Sequence, residues 1–183
     1  LGRVNITNSL APGTKDASPV PSDSLCYQQK RILMKDLSPE DTVIIVDDPT
    51  YLEEIASWEG HCENLNMVKI GGELIHYLGV SETAPYTLKN VTRGYWGTKP
   101  TAHKANDTVY KLQVTINYGY EGIIPNLALQ DKIAEYYADV SHLCGLTLYD
   151  FDGQEFLFAN TEDMKTKEPD VILRACLLYT SPS

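Results

Sequence analysis

Asp150, Asp152 and Glu155 are the residues of this chain best suited to chemistry. They gather around Gly153 at the end of an apolar-rich run, Leu146-Thr147-Leu148-Tyr149-Asp150-Phe151. Read as a strand, this run places Leu148, Asp150 and Asp152 on one face and Tyr149 and Phe151 on the other. Unpaired carboxylates are costly in a dry core. The two aspartates therefore belong near the solvated tip of the strand, where Asp152-Gly153 turns the chain and directs Glu155 to the same opening. Paired Asp and Glu side chains set roughly 5–10 Å apart carry out glycoside hydrolysis, one as acid and the other as nucleophile or base. In that reading Asp150, Asp152 and Glu155 are the catalytic candidates. The structural alternative is that Asp152 caps the next element or braces a loop, and that Asp150 pairs with a neighbouring strand.

Such carboxylates need elements to hold them. Residues 112–118 alternate apolar side chains with Gln113, Thr115 and Asn117, as a strand does. Residues 119–122, Gly-Tyr-Glu-Gly, read as a loop. A helix then starts after Pro125, with Asn126 as its N-cap. Leu129, Ile133, Tyr136, Tyr137, Val140 and Leu143 recur at helical spacing and form its apolar stripe. Gly145 stands where a left-handed C-terminal glycine belongs. With the strand that follows, this is a strand–helix–strand unit, and such a crossover implies parallel pairing. Asn117 and Tyr118 end its first strand, and Tyr120 and Glu121 follow in the loop. These four are the substrate-binding candidates beside the carboxylates.

The preceding region reads as β structure. Residues 1–30 are rich in Pro, Ser and Gly and form irregular turns joining at most short strands. Val43-Ile44-Ile45-Val46 is a β-branched strand signal, and residues 49–55 suit a helical turn. Val68-Lys69-Ile70 and Glu73-Leu74-Ile75-His76-Tyr77-Leu78 flank Gly71-Gly72, which predicts a hairpin. Residues 85–91 and 108–112 are further strands. Between them Arg93-Gly94-Tyr95-Trp96-Gly97-Thr98 and His103 form a glycine-permitted irregular loop. The structural reading has Arg93 bracing this loop through carbonyls, Trp96 plugging a local core and His103 capping a turn. The functional reading has the loop gripping a ligand.

Composition narrows the classes. The formal charge is −10 over 183 residues, with no basic stripe carrying interleaved aromatics, so nucleic acid is not an expected partner. Twelve tyrosines with Trp58 and Trp96 suit the apolar faces of sugar rings, although tyrosine is also an ordinary sheet residue. Cys26, Cys62, Cys144 and Cys176 show neither a disulfide framework nor metal-ligand spacing. His61-Cys62-Glu63 are adjacent and converge poorly on one ion. No metal or organic cofactor is expected. No apolar run approaches the roughly 18 residues of a membrane span. Asn5, Asn90 and Asn106 lie in Asn-x-Ser/Thr sequons, which bear on function only in a secretory eukaryote.

Residues 176–183, Cys-Leu-Leu-Tyr-Thr-Ser-Pro-Ser, back-translate to a transposon-end sequencing adaptor, and residue 1 is not methionine. The expectation is a fragment of a longer reading frame: a β-rich accessory domain over 1–111, the start of an α/β barrel domain over 112–175, and an adaptor-derived tail. The length is far short of the about 250 residues of a whole barrel.

Two segments resemble parts of multidomain bacterial carbohydrate-active proteins. The first is Ile70-Gly71-Gly72-Glu73-Leu74-Ile75-His76-Tyr77 with Val91-Thr92-Arg93-Gly94-Tyr95-Trp96-Gly97-Thr98 and Ala102-His103, a pattern also found in phage tail and baseplate proteins. The second is Leu129-Gln130-Asp131-Lys132-Ile133-Ala134 leading to Leu148-Tyr149-Asp150-Phe151-Asp152-Gly153, which is similar to the opening of glycoside-hydrolase barrels. The resemblance implies an α+β chain, with a β-sandwich-like module followed by the first β-α-β unit of a truncated (β/α)8 barrel. It also implies a parent that hydrolyses glycosidic bonds of a carbohydrate substrate without cofactor, in a periplasmic or secreted setting. The isolated fragment is expected to be inactive. The alternative is a non-catalytic β-rich binding or structural module of phage-tail type.

Overall fold

The computed structural model describes residues 21–53, 55–58, 61–64, 66–117, 120–123 and 125–146. Among the described residues strands are mixed with one α-helix, and most of the regular structure is β. It divides into two compact units, Leu1–Ile124 and Pro125–Ser183.

The first unit contains β1 (Tyr27–Ile32), β2 (Ile44–Val46), β3 (Ile55–Trp58), β4 (His61–Asn64), β5 (Met67–Ile70), β6 (Glu73–His76), β7 (Gly79–Val80), β8 (Tyr86–Lys89), β9 (Thr108–Leu112), β10 (Val114–Asn117) and β11 (Tyr120–Ile123). One antiparallel sheet has the order β1-β9-β5-β6 and another the order β2-β8-β7. β3-β4 and β10-β11 are antiparallel hairpins. The expected Gly-Gly hairpin joins β5 to β6, with Ile70 opposite Glu73. Gly71 has a φ of 55°, a left-handed value that glycine adopts without the Cβ penalty.

Two bridges join the larger sheets at both margins. His76 exchanges backbone hydrogen bonds with Thr92, three residues beyond β8, at 3.1 and 2.7 Å. Leu33, just past β1, bridges Val46 of β2. The ladder therefore runs β1-β9-β5-β6, through Thr92 to β8 and β2, and returns to β1. Closure of this kind leaves fewer open edges for unwanted pairing.

The enclosed core includes Ile44, Val46, Val68, Ile75, Tyr77 and Val109. Alternation explains their selection: Ile44 and Val46 are buried while Ile45 between them is half-buried. Each fully buried aliphatic side chain contributes roughly 1.5–3 kcal/mol. Met67, Leu74 and Leu112, at the alternate positions of β5, β6 and β9, are also buried. The centre of this sheet is thus covered on both faces, and so β5 reads as a nearly continuous apolar run. Lys69 is compatible with that position because its Nζ meets Asp23 Oδ1 at 2.7 Å. The Tyr77 hydroxyl, fully buried, donates to the Leu52 carbonyl and so ties the loop before β3 to the core.

Three expectations change. Residues 49–55 give only a short turn closed by Leu52 N–H to Pro49 O at 3.1 Å, and β3 begins at Ile55. Residues 120–123 form β11, paired antiparallel with β10, rather than a loop. Gly119 and Gly122 read as a loop in sequence, yet Gly122 stands opposite Thr115 inside the ladder. The strand directly before the helix is therefore β11, not β10. The third change concerns the helix.

The second unit contributes α1 (Leu127–Cys144). Both expected caps are present. Asn126 Oδ1 accepts from Leu129 N–H at 3.1 Å, and Gly145 takes the left-handed conformation with its N–H on the His142 carbonyl. The buried positions, however, are Ala134, Ala138 and Ser141, while Tyr136 and Leu143 are 66% and 88% exposed. The period is helical as expected, but its phase is rotated toward the small residues. The strand expected over 146–151 lies outside the described residues beyond Leu146. Among the described residues, no helix is long and apolar enough to cross a membrane.

Candidate functional site

Asp150, Asp152 and Glu155 lie outside the described residues, as does Tyr118. Asn117 and Tyr120 are register partners at the turn end of the β10-β11 hairpin, and Glu121 stands opposite Ile116. The fold thus brings Asn117, Tyr120 and Glu121 to one hairpin end. Among the described residues no cluster of His, Cys, Asp and Glu is arranged to hold a metal ion.

The densest polar constellation lies in the β module and centres on Glu73, the first residue of β6. The hairpin turn at Gly71-Gly72 delivers it to the interior, where its side chain is fully buried. Arg93 engages it in a fork, Nε to Oε1 at 2.6 Å and Nη2 to Oε2 at 2.8 Å. His103 Nε2 lies 2.8 Å from Oε2, and because an ionised carboxylate only accepts, the imidazole donates there. The backbone N–H groups of Gly94 and Thr101 complete the shell, each at 3.1 Å. Arg93 is equally occupied. Its remaining N–H groups reach the carbonyls of Ser38, Asp41 and Thr101 at 2.9, 2.7 and 2.8 Å.

Burial alone pushes the Glu73 carboxyl upward. The hydrogen bonds from Arg93, His103 and Thr101 and the Arg93 charge outweigh it and lower the group from 4.5 to about 2. A carboxylate accepts at about four lone-pair sites, and Glu73 already has five donors. It has no capacity left for a substrate proton or a cation. The cluster is a brace that ties β6, the loop after β8 and the segment around Ser38 together.

Sequence reasoning identified the bracing role of Arg93 and its use of carbonyls but not its anionic partner. The available signal was a lone acidic residue directly after the Gly-Gly turn at the head of an apolar strand, where an unpaired charge is not tolerated. His103 serves the same carboxylate while its backbone pairs with Leu37.

Both ends of the loop over 94–101 are thereby attached to one carboxylate. Between them Tyr95–Gly97 makes a single 3-10 turn, closed by Thr98 N–H on the Tyr95 carbonyl at 3.2 Å. Thr98 Oγ1 in turn accepts from Leu74 N–H at 3.1 Å. Gly94 is left-handed, and a Cβ there would lie 2.6 Å from the Thr98 carbonyl oxygen. Trp96 is also left-handed, with φ 54° and ψ 30°. For an L-residue this costs about 1–2 kcal/mol, and for a bulky one it is a genuine outlier.

Trp96 is not the expected core plug, because it remains half-buried at the surface. Its ring stacks on Tyr95 at 5.9 Å and 25°, and Tyr95 stacks on His76 at 4.9 Å and 26°. No protein-family model, curated protein or solved structure matches the chain.

Proposed function

We propose that the β module is a non-catalytic, internally braced part of a carbohydrate-active hydrolase. In this reading it is β-sandwich-like, and the chain continues into the first β-α-β unit of a (β/α)8 barrel. Cleavage of glycosidic bonds then belongs to Asp150, Asp152 and Glu155, and Asn117, Tyr118, Tyr120 and Glu121 are the substrate-binding candidates. One observation supports a non-catalytic module above all. Glu73, a fully buried carboxylate, is saturated with donors and lowered to about 2. A general acid requires a raised value and a nucleophile requires a free oxygen.

A second reading has its own support. Glu73, Arg93 and His103 all lie in the segments that resemble phage tail modules, where a scaffold rather than a reaction is required. The experiment is a glycoside panel assayed with the 183-residue chain and with a longer protein carrying it. The chain alone is expected to be inactive and the longer protein active. Asp152→Asn in the latter is expected to lower turnover by at least about 10²-fold, and Glu73→Gln to leave turnover unchanged while the protein stays folded. An inactive longer protein that assembles into a tail structure favours the second reading. Loss of turnover in folded Glu73→Gln overturns both.

A further inference from the structure

We propose that α1 pairs antiparallel with α1 of a second copy of this chain, through the apolar seam Leu129, Ile133, Tyr136, Val140 and Leu143. The pairing concerns α1 alone and goes beyond the hydrolase reading. Three observations carry it.

The first is an uncovered apolar face. Ala134, Ala138 and Ser141 are the buried positions of α1. With about 3.6 residues per turn, the seam lies on the opposite side of the helix. There Tyr136 and Leu143 are 66% and 88% exposed, and Leu129, Ile133 and Val140 are half-buried. Single apolar side chains at a surface are ordinary, but a contiguous stripe marks a contact surface.

The second is spacing. From Leu129 the seam advances by four, three, four and three residues. This is the alternation with which two helices interlock side by side at a shallow angle. The Asn126 and Gly145 caps fix both ends of the helix, which lowers the ordering cost of association.

The third is charge. Lys132 and Asp139 flank the seam on one side, one heptad apart, and both are exposed. Neither enters an ion pair among the described residues. In an antiparallel pair the same flanks of the two helices meet. Setting Ile133 level with Leu143, and Tyr136 level with Val140, brings Lys132 of each copy to Asp139 of the other. A shift of one heptad in one direction sets Lys132 against Lys132, and in the other Asp139 against Asp139. A parallel pair sets Lys132 beside Tyr137 and Asp139 beside Cys144, so no charge is matched. Charge therefore selects one orientation and one register, and a single two-fold axis satisfies both flanks.

The helices overlap over about 13 residues, or about 20 Å, which is small for a specific interface. Association is therefore expected to be reversible, with Kd of about micromolar order. The test is sedimentation equilibrium of the 183-residue chain from about 1 to about 100 μM, where a monomer–dimer equilibrium is expected. Leu143→Ser changes an exposed side chain. It should weaken the dimer by at least about tenfold with the circular dichroism spectrum unchanged. Lys132→Glu and Asp139→Lys, each alone, set like charges together at both flanks and should each weaken it similarly. General charge repulsion predicts opposite effects, since the first makes the chain more acidic and the second less. The double variant exchanges the charges and should restore the parental affinity to within about threefold.

A monomer throughout that range overturns the proposal. So does a dimer that survives Leu143→Ser, whose contact then lies elsewhere. Opposite effects of the two single swaps, or a double variant as weak as either, remove the antiparallel register and with it the proposal. Aggregates without a discrete dimer do the same. None of these outcomes touches the hydrolase reading, which stands or falls on turnover by a longer protein.

Discussion

Two ion pairs of nearly equal length carry very different weight in this molecule. Arg93 meets Glu73 at 2.6 Å, and Lys104 meets Asp36 at 2.8 Å. In the first pair the side chains are 6% and 0% exposed, and in the second 78% and 60%. Both carboxyls are held below their ordinary range. For Asp36 the causes are the Ala105 N–H first and Lys104 second. What separates the pairs is the alternative available to each group when its partner is lost. Asp36 falls back on water. Glu73 and Arg93 have no water to fall back on, so either one alone is an uncompensated buried charge. Distance therefore ranks the two pairs as equals, and environment separates them.

The comparison can be tested at its strongest point first. Glu73→Ala leaves Arg93 and His103 facing an empty site and should cost about 3–5 kcal/mol, the range for breaking a buried pair. Urea unfolding measures it. A loss below about 1 kcal/mol, the level of a surface pair, would erase the distinction. Should the alanine variant fail to fold, Glu73→Gln keeps the shape and two acceptor lone pairs, and should lie between it and the parent.

Acid should remove the same contribution without mutation. The folded-state value of Glu73 is depressed from 4.5 to about 2. Its stabilisation is therefore complete above pH 4.5 and is lost as pH falls from 4.5 toward 2. The shift corresponds to about 3 kcal/mol. The chain should lose stability steeply across that window, and Glu73→Gln should flatten the profile there. An unchanged slope in the variant would mean that other carboxyls govern acid unfolding.

Arg93→Lys probes geometry at constant charge. Lysine keeps the cation but cannot fork onto both oxygens while also reaching the carbonyls of Ser38, Asp41 and Thr101. The expected cost is about 1–3 kcal/mol, that of leaving buried acceptors unsatisfied, read as a lower urea midpoint at unchanged slope. At the small end, Asp36→Asn should leave Tm within error of the parent and insensitive to added salt. A clear loss of stability there would show that the surface pair carries weight its exposure does not explain.

Legibility in sequence followed the range of the interactions involved. The Asn126 and Gly145 caps and the Gly71-Gly72 hairpin were readable because each depends on residues within a few positions along the chain. Thr108–Leu112 was readable as a strand. The same reasoning misread residues 120–123, because Gly119 and Gly122 outweighed Tyr120 and Ile123 as local signals, whereas pairing with β10 decided the matter. It also chose the wrong phase for α1. Large apolar residues define a stripe in sequence, yet Ala134, Ala138 and Ser141 are the residues covered.

The residues alone dictated the two ends of α1 and the turn between β5 and β6, since capping and turn conformation act over a handful of bonds. Packing of distant segments decided that Glu73 meets Arg93 and His103, respectively 20 and 30 residues further along the chain. It likewise decided that the sheet closes through His76 to Thr92 and Leu33 to Val46, and that Trp96 is held half-buried in a left-handed conformation. These outcomes depend on which strands stack against which. A buried charge takes its meaning from the partner that distant segments deliver, and that delivery is a property of the packed whole.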